Sequence, residues 1–272
     1  MTQTRAANFL EAIRLAELEL IEAILGRRVS TGARILEVGA GTGWQARELS
    51  ARGYEVSAID IPTSNHGKAR IWPITDFDGR HIPFPDRSFD IVYSSNVLEH
   101  VEDIETLNAE IARVLKDGGT AIHYVPTSAW RAWSLVAFLP ALLRDVVRRT
   151  RGTAGGAADA ATPAAAGESA STPPPAASSG RSWVAKAVRR VTPHVHGTEG
   201  NWFTELSRFR KRSWDRFFAS LGWVTVSHET NGLFLTGDMI LGARLSVERR
   251  KRLSRTLGSS ANLYVLTRPP QR

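Results

Sequence analysis

The sequence predicts an open α/β fold, a seven-stranded and mostly parallel sheet with helices on both faces and an insertion after the fifth strand. Three observations carry that expectation. Short apolar runs alternate with stretches of helical spacing, the order in which βαβ units are built. A loop with glycines at 39, 41 and 43 ends the first apolar run and opens a helix. After Pro126 the alternation stops, and it resumes only near the C-terminus.

Taken in order, Leu10, Ile13, Leu15, Leu18, Ile21 and Leu25 recur at helical spacing and Gly26 ends the pattern, so residues 1–29 hold an amphipathic helix. Strands are expected at Arg34–Val38, Val56–Ile59, Ile71–Thr75, Phe89–Ser94 and Thr120–Val125, with helices from Trp44 and over Ile104–Leu115. Residues 30–127 form the core built from these elements. A Trp- and Leu-rich stretch follows, then Gly152–Gly180, made almost wholly of Ala, Gly, Ser, Thr and Pro. With no large apolar side chain to offset its ordering entropy, 152–180 reads as a disordered linker within a lid or acceptor region spanning 128–221. Residues 222–272 close the sheet: a Gly222 turn, a strand at Trp223–His228, a basic helix near Ser246–Leu257 and a strand at Asn262–Thr267, after a helix around Glu205–Leu221. All 272 residues are expected to form one domain.

Composition narrows the classes. The chain has no cysteine, which excludes disulfides and cysteine metal sites, and its first residues carry charges inside the apolar pattern, unlike a signal peptide, so a cytoplasmic location is expected. The net charge of +8 favours anionic partners in general, but speaks to association and not to fold.

The spacing G-x-G-x-G departs from the dinucleotide fingerprint, which needs its third glycine where this chain has Trp44. Glycine still lets a ligand lie against bare backbone. Glu37, just before the loop, suits a cationic ligand better than a phosphate. Asp60, at the end of the next strand, stands where a carboxylate reaches a ribose in open α/β sheets.

On these residues the segment resembles the class I S-adenosylmethionine-dependent methyltransferases, and "DGRHIPFPDRSFDIVYSSNVLEHVED" with "EIARVLKDGGTAIHYVP" is similar to the type 11, small-molecule branch over roughly residues 30–127. The resemblance implies a Rossmann-like sheet and S-adenosyl-L-methionine as cofactor. It places Glu37, Gly39, Gly41 and Gly43 at the cofactor's amino-acid part and Asp60 with Ile61 at its ribose. Asp78 and Gly79 would lie at the adenine, and Ser94, Ser95 and Asn96 would line the far side. The region Pro62–Arg70 is shorter and more polar than in many relatives.

Methyl transfer from a sulfonium is an in-line displacement, so alignment matters most. If the acceptor is a hydroxyl, its proton could go to His100, His194 or His196. Each also has a plain reading: a helix cap or loop-orienting residue for His100, a simple loop for the other two. No metal is expected, since His194 and His196 have only Glu199 nearby. The sequence after the fourth strand lacks the Asn- or Asp-Pro-Pro-aromatic motif of base amino-methyltransferases, so nucleic acid is disfavoured as acceptor. Oxygen of a small, lipid-linked or glycan-linked acceptor is expected ahead of nitrogen or carbon. An RNA-directed enzyme and a non-catalytic binding protein are the rivals.

Between Arg131 and Arg144 lie twelve uncharged residues, well short of the ~20 that span a bilayer. Trp130, Trp133, Leu135, Phe138, Leu139, Leu142 and Leu143, followed by Arg144, Arg148, Arg149 and Arg151, have the make-up of an interfacial helix at an anionic membrane, such as the inner face of the cell membrane. A lid over the acceptor pocket accounts for them equally well.

Overall fold

The computed structural model describes residues 2–64, 67–138, 140, 202–236 and 242–269. Its elements are α1 (Thr2–Leu25), β1 (Arg34–Val38), α2 (Trp44–Ala51), β2 (Glu55–Asp60), β3 (Thr75–Asp76), β4 (Phe89–Ser95), α3 (Ile104–Val114), β5 (Leu115–Pro126), α4 (128–138), α5 (Trp202–Arg208), α6 (Lys211–Ser220), β6 (Val224–Thr230), α7 (Val247–Leu257) and β7 (Ala261–Thr267). The seven strands form one sheet in the order β3-β2-β1-β4-β5-β7-β6. All pairings from β3 to β5 are parallel, and β7 runs antiparallel to both β5 and β6. The order reverses between β1 and β4, and in open α/β sheets ligands bind in the crevice at the carboxyl ends of the strands beside such a reversal.

Alternation along the strands sends side chains to two apolar layers. Ile35, Ile91, Tyr93, Ile122, Tyr124, Leu263 and Val265 pack with Leu18, Ile21, Ile24 and Leu25 of α1 and Leu49 of α2. On the opposite face Leu36, Val38, Val92, Ala121 and Leu266 pack with Leu107, Ile111 and Val114 of α3 and Trp214 and Phe218 of α6. Each such fully buried aliphatic or aromatic side chain contributes roughly 1.5–3 kcal/mol. Leu15 falls off the buried stripe of α1 and is 36% exposed.

The caps follow from the sequence. Asp103 accepts the amide of Thr106 to start α3 (3.2 Å). Thr127 accepts the amide of Trp130 to start α4 (3.0 Å) and donates its own hydroxyl to the Ser259 carbonyl, tying α4 to the approach to β7.

Two expectations are corrected. The third strand is not Ile71–Thr75 but the two-residue Thr75–Asp76, and Ile71 is 50% exposed. Residues 71–74 instead run over the glycine loop: the Ile71 amide bonds to the Thr42 carbonyl (2.8 Å), and Pro73 has no amide to give a ladder. The helix expected over Glu205–Leu221 is two helices, α5 and α6, broken at Phe209 and Arg210, where the Ser128 amide takes the Phe209 carbonyl (3.0 Å). The linker 152–180, His194 and His196 lie outside the described residues.

Candidate ligand site at the carboxyl edge of the sheet

Gly39, Gly41 and Gly43 take φ values of 72°, 58° and 76°, the left-handed region that glycine adopts without a Cβ penalty. At Gly39 a Cβ would collide with the Val97 side chain, and at Gly43 it would lie 2.5 Å from Trp72 Cβ. The loop is therefore packed from both sides, with bare backbone at the edge of the sheet.

Glu37, the fourth residue of β1, is 2% exposed and its Oε2 has no hydrogen-bond partner. Burial pushes its carboxyl up to about 8; the Ala46 amide pulls the other way, and the charge of Asp60 adds to the rise. A buried carboxylate oxygen without a partner is a feature expected where a cationic group is to be held. Asp60 is also buried, but both its oxygens are engaged: Oδ2 accepts the Gly41 amide (3.0 Å) and Oδ1 the Ile61 amide (2.8 Å). Asp60 thus pins the glycine loop to the end of β2, and each oxygen keeps a lone pair for a further donor.

Gly79, with φ 82°, sits against Ile61, whose Cγ2 would be 3.5 Å from an added Cβ. Asp78 accepts the amides of Arg80 and His81 and pairs with the His81 ring, each at 2.7 Å, and these contacts hold it well below the usual carboxylate range. Ile61, Asp78 and Gly79 therefore form one wall beside Asp60.

Of the three residues after β4, Ser95 and Asn96 stand at the open edge, and Asn96 takes φ 53° while its amide bonds to the Tyr124 carbonyl (2.8 Å). Ser94 differs from the expectation. Its hydroxyl is wholly buried on the α3 and α6 face, 2.8 Å from Nδ1 of His123, whose ring stacks on Phe218. Alternation along β4 turns it away from the face that carries Tyr93. Burial pushes His123 down to about 3, so it stays neutral. His100 ends a short turn, Leu98–His100, with Nε2 3.9 Å from Oε1 of Glu99, whose own carboxyl burial pushes up to about 8.

The structure also brings in groups that sequence reasoning missed. Glu17 of α1 accepts from Tyr124 Oη (3.1 Å) and Asn231 Nδ2 (3.3 Å), and burial raises its carboxyl. Tyr93 is fully buried, and the charges of Glu37 and Glu17 add to burial in raising its hydroxyl. Glu37, Tyr93, Glu17 and Tyr124 thus lie within electrostatic reach of one another, with Glu17 and Tyr124 hydrogen-bonded. Glu17 lies in a helix with no motif around it, and Tyr93 and Tyr124, though inside the quoted segments, show there only as apolar strand residues. Among the described residues no cluster of His, Asp and Glu could hold a metal.

Comparison with known proteins agrees with this geometry. Residues 36–123 match the model of a family described as "Methyltransferase domain". The biotin biosynthesis bifunctional protein BioHC of Cellvibrio japonicus is 33% identical over 133 residues, 46% of this chain and 25% of that one. The demethylmenaquinone methyltransferase of Tropheryma whipplei is 36% identical over 103 residues, 35% of this chain and 42% of that one. The matches therefore span less than half the length of these two relatives. A chain from the complex between the Haloferax volcanii Trm112 methyltransferase activator and a proposed methyltransferase superposes with a TM-score of 0.53 at 15% identity, covering 99% of this chain and 96% of that one. The likeness to that structure is one of fold.

Proposed function

We propose that this chain, whose residues 36–123 are a methyltransferase domain, transfers a methyl group from S-adenosyl-L-methionine to an oxygen, ahead of a nitrogen or carbon, of a small, lipid-linked or glycan-linked acceptor. The observation that carries the reading is the partnerless Oε2 of buried Glu37 beneath three left-handed glycines. The residues present fit the cofactor: Glu37 would meet its ammonium, the bare loop its amino-acid chain, Asp60 its ribose hydroxyls, and Ile61 with Asp78 and Gly79 its base. When bound, the cofactor would supply a methyl group already activated on a sulfonium.

The chain's own contribution is then to hold the acceptor in line and exclude water. Ser95 and Asn96 stand at the open edge where it would lie, and Glu17 or His100 could take a proton at the acceptor oxygen. A relative named for demethylmenaquinone supports a lipid-like acceptor. An acceptor reached at the inner face of the membrane is compatible with a chain in which, among the described residues, no helix is long and apolar enough to cross it.

Calorimetric titration with S-adenosylmethionine tests the reading. Wild type should bind it, and Gly41→Val should lose measurable binding, because a β-branched side chain at positive φ would distort the loop and fill the cradle. Binding of NAD in place of S-adenosylmethionine would overturn the proposal.

A further inference from the structure

Helix α7 lies across the same edge of the sheet as the glycine loop. Its C-terminal end is fastened to α4: the Trp133 indole donates to the Leu257 carbonyl (2.9 Å), and Trp133 packs edge-on against Phe234. The turn at Gly242–Arg244, which leads into α7, packs against α1. The helix thus bridges the two segments that flank the site.

One of its cations is spent on the fold. Arg250 is 2% exposed, and its guanidinium donates to the carbonyls of Leu245 (3.1 Å), Phe234 (2.9 Å) and Gly242 (2.8 Å). That anchor turns the rest of the helix outward. Arg249, Lys251, Arg252 and Arg255 are exposed, and among the described residues none of them pairs with a carboxylate. Between β1 and β5 cations sit in ion pairs: Arg52 with Glu22 and Glu48, Arg70 with Asp76, Arg113 with Glu110 and Asp86, Lys116 with Asp90. On α4, which Trp133 fastens to the end of α7, Val136 is 63% exposed.

We infer that the outer face of α7, with Val136 of α4, is the surface by which this protein docks on an anionic lipid bilayer, the open edge of the site turned toward the lipid. The juxtaposition of unneutralised cations and an exposed aliphatic is that of an interfacial element. Nucleic acid fits less well, since the exposed face of α7 offers neither an aromatic ring to stack on a base nor an amide to read one. Of the segment Trp130–Arg151 that the sequence suggested for this role, residues 139 and 141–151 lie outside the described residues. Trp130 packs into the core and Trp133 against Phe234 and Leu257, so neither tryptophan is free to enter lipid. The proposal rests on the methyl-transfer reading only for its statement that this edge is the working one.

Co-sedimentation with vesicles of phosphatidylcholine containing phosphatidylglycerol tests it, with pure phosphatidylcholine as control. Wild type should bind the anionic vesicles alone, and release in ~1 M salt, where the Debye length is about 3 Å. Each basic residue near an anionic surface is worth roughly fivefold, so the variant R249Q/K251Q/R252Q/R255Q should lose on the order of a hundredfold or more. The variant R34Q/R87Q/K116Q, which removes cations from the opposite edge, should bind like wild type. Melting curves and S-adenosylmethionine titrations on both variants separate misfolding from lost docking and keep the two proposals apart. Absence of wild-type binding at low salt, or undiminished binding by the α7 variant, would overturn the inference. So would binding of RNA or of an acidic protein, but not of vesicles, with the same dependence on α7.

Discussion

The part of the molecule from β1 to β5 and the part from α4 to β7 bury different ionisable groups. In the first, beside the neutral His123, the deeply buried groups are acids: Glu37 and Asp60 lie inside the fold, and Glu99 has a 5% exposed side chain. In the second they include two arginines, Arg131 and Arg250. The solvent-facing pattern differs too. Cations of the first part sit beside carboxylates, whereas those of α7 face water. Burying a charge costs several kcal/mol unless it is compensated, so its sign records what compensates it. Around the glycine loop compensation is incomplete at Glu37, as a site for a cationic ligand requires. In the closing part it comes from within: Arg250 has three carbonyls, and Arg131 has Glu205 at 2.6 Å, each of that pair 2% exposed.

The sharpest way to break this contrast is Arg131→Leu. It removes the Arg131 partner of buried Glu205, and the chain should lose about 3–5 kcal/mol of stability in denaturant titration. Adding Glu205→Leu should restore most of that loss; a double variant as weak as the single one would show that packing, not charge, is at stake.

A smaller effect is expected at Asp60. Asp60→Ala removes the acceptor of the Gly41 and Ile61 amides together with a ribose contact, and should weaken S-adenosylmethionine binding by roughly 1.5–3 kcal/mol. Unchanged affinity by calorimetry would take Asp60 out of the ribose site and leave it a loop anchor.

The smallest effect sharpens the comparison at Glu37. Without a cation nearby its carboxyl keeps a proton up to about pH 8. A bound ammonium favours the ionised form, so below that pH binding must release the proton. Affinity should then rise by up to tenfold per pH unit, about 1.4 kcal/mol, and level off above 8. Titrations in buffers of different ionisation enthalpy would detect the released proton. Affinity flat between pH 6 and 9 would mean that Glu37 is ionised already.

What the sequence made legible follows from the same geometry. Glu37, the three glycines and the ends of β1 and β2 are consecutive or one strand apart, so spacing alone exposes them. The Ser94 to His123 contact spans 29 residues and the Tyr124 to Glu17 contact 107, and neither has a local signature. The third strand was misplaced because Ile71, Trp72 and Ile74 are apolar for a different reason. They cover the glycine loop, with Trp72 and Ile74 packed against Gly43. The break at Phe209 was hidden because α5 and α6 share one helical pattern, while the Phe209 carbonyl is taken by a residue 81 positions earlier, Ser128.

The meeting of α4 and α5 has a consequence for how such a chain can vary. Ser128 and Phe209 are joined through their backbones, and Arg131 and Glu205 through their side chains, so the two ends of the intervening segment are fastened to each other. Closing a loop between such ends costs free energy that rises only slowly with its length, about 0.6 kcal/mol for each doubling. A change in the number of residues between the two helices should therefore cost the rest of the protein little. A substitution of this segment by one of another length should then leave the sheet and the cofactor edge intact, and melting curves of such variants would show it.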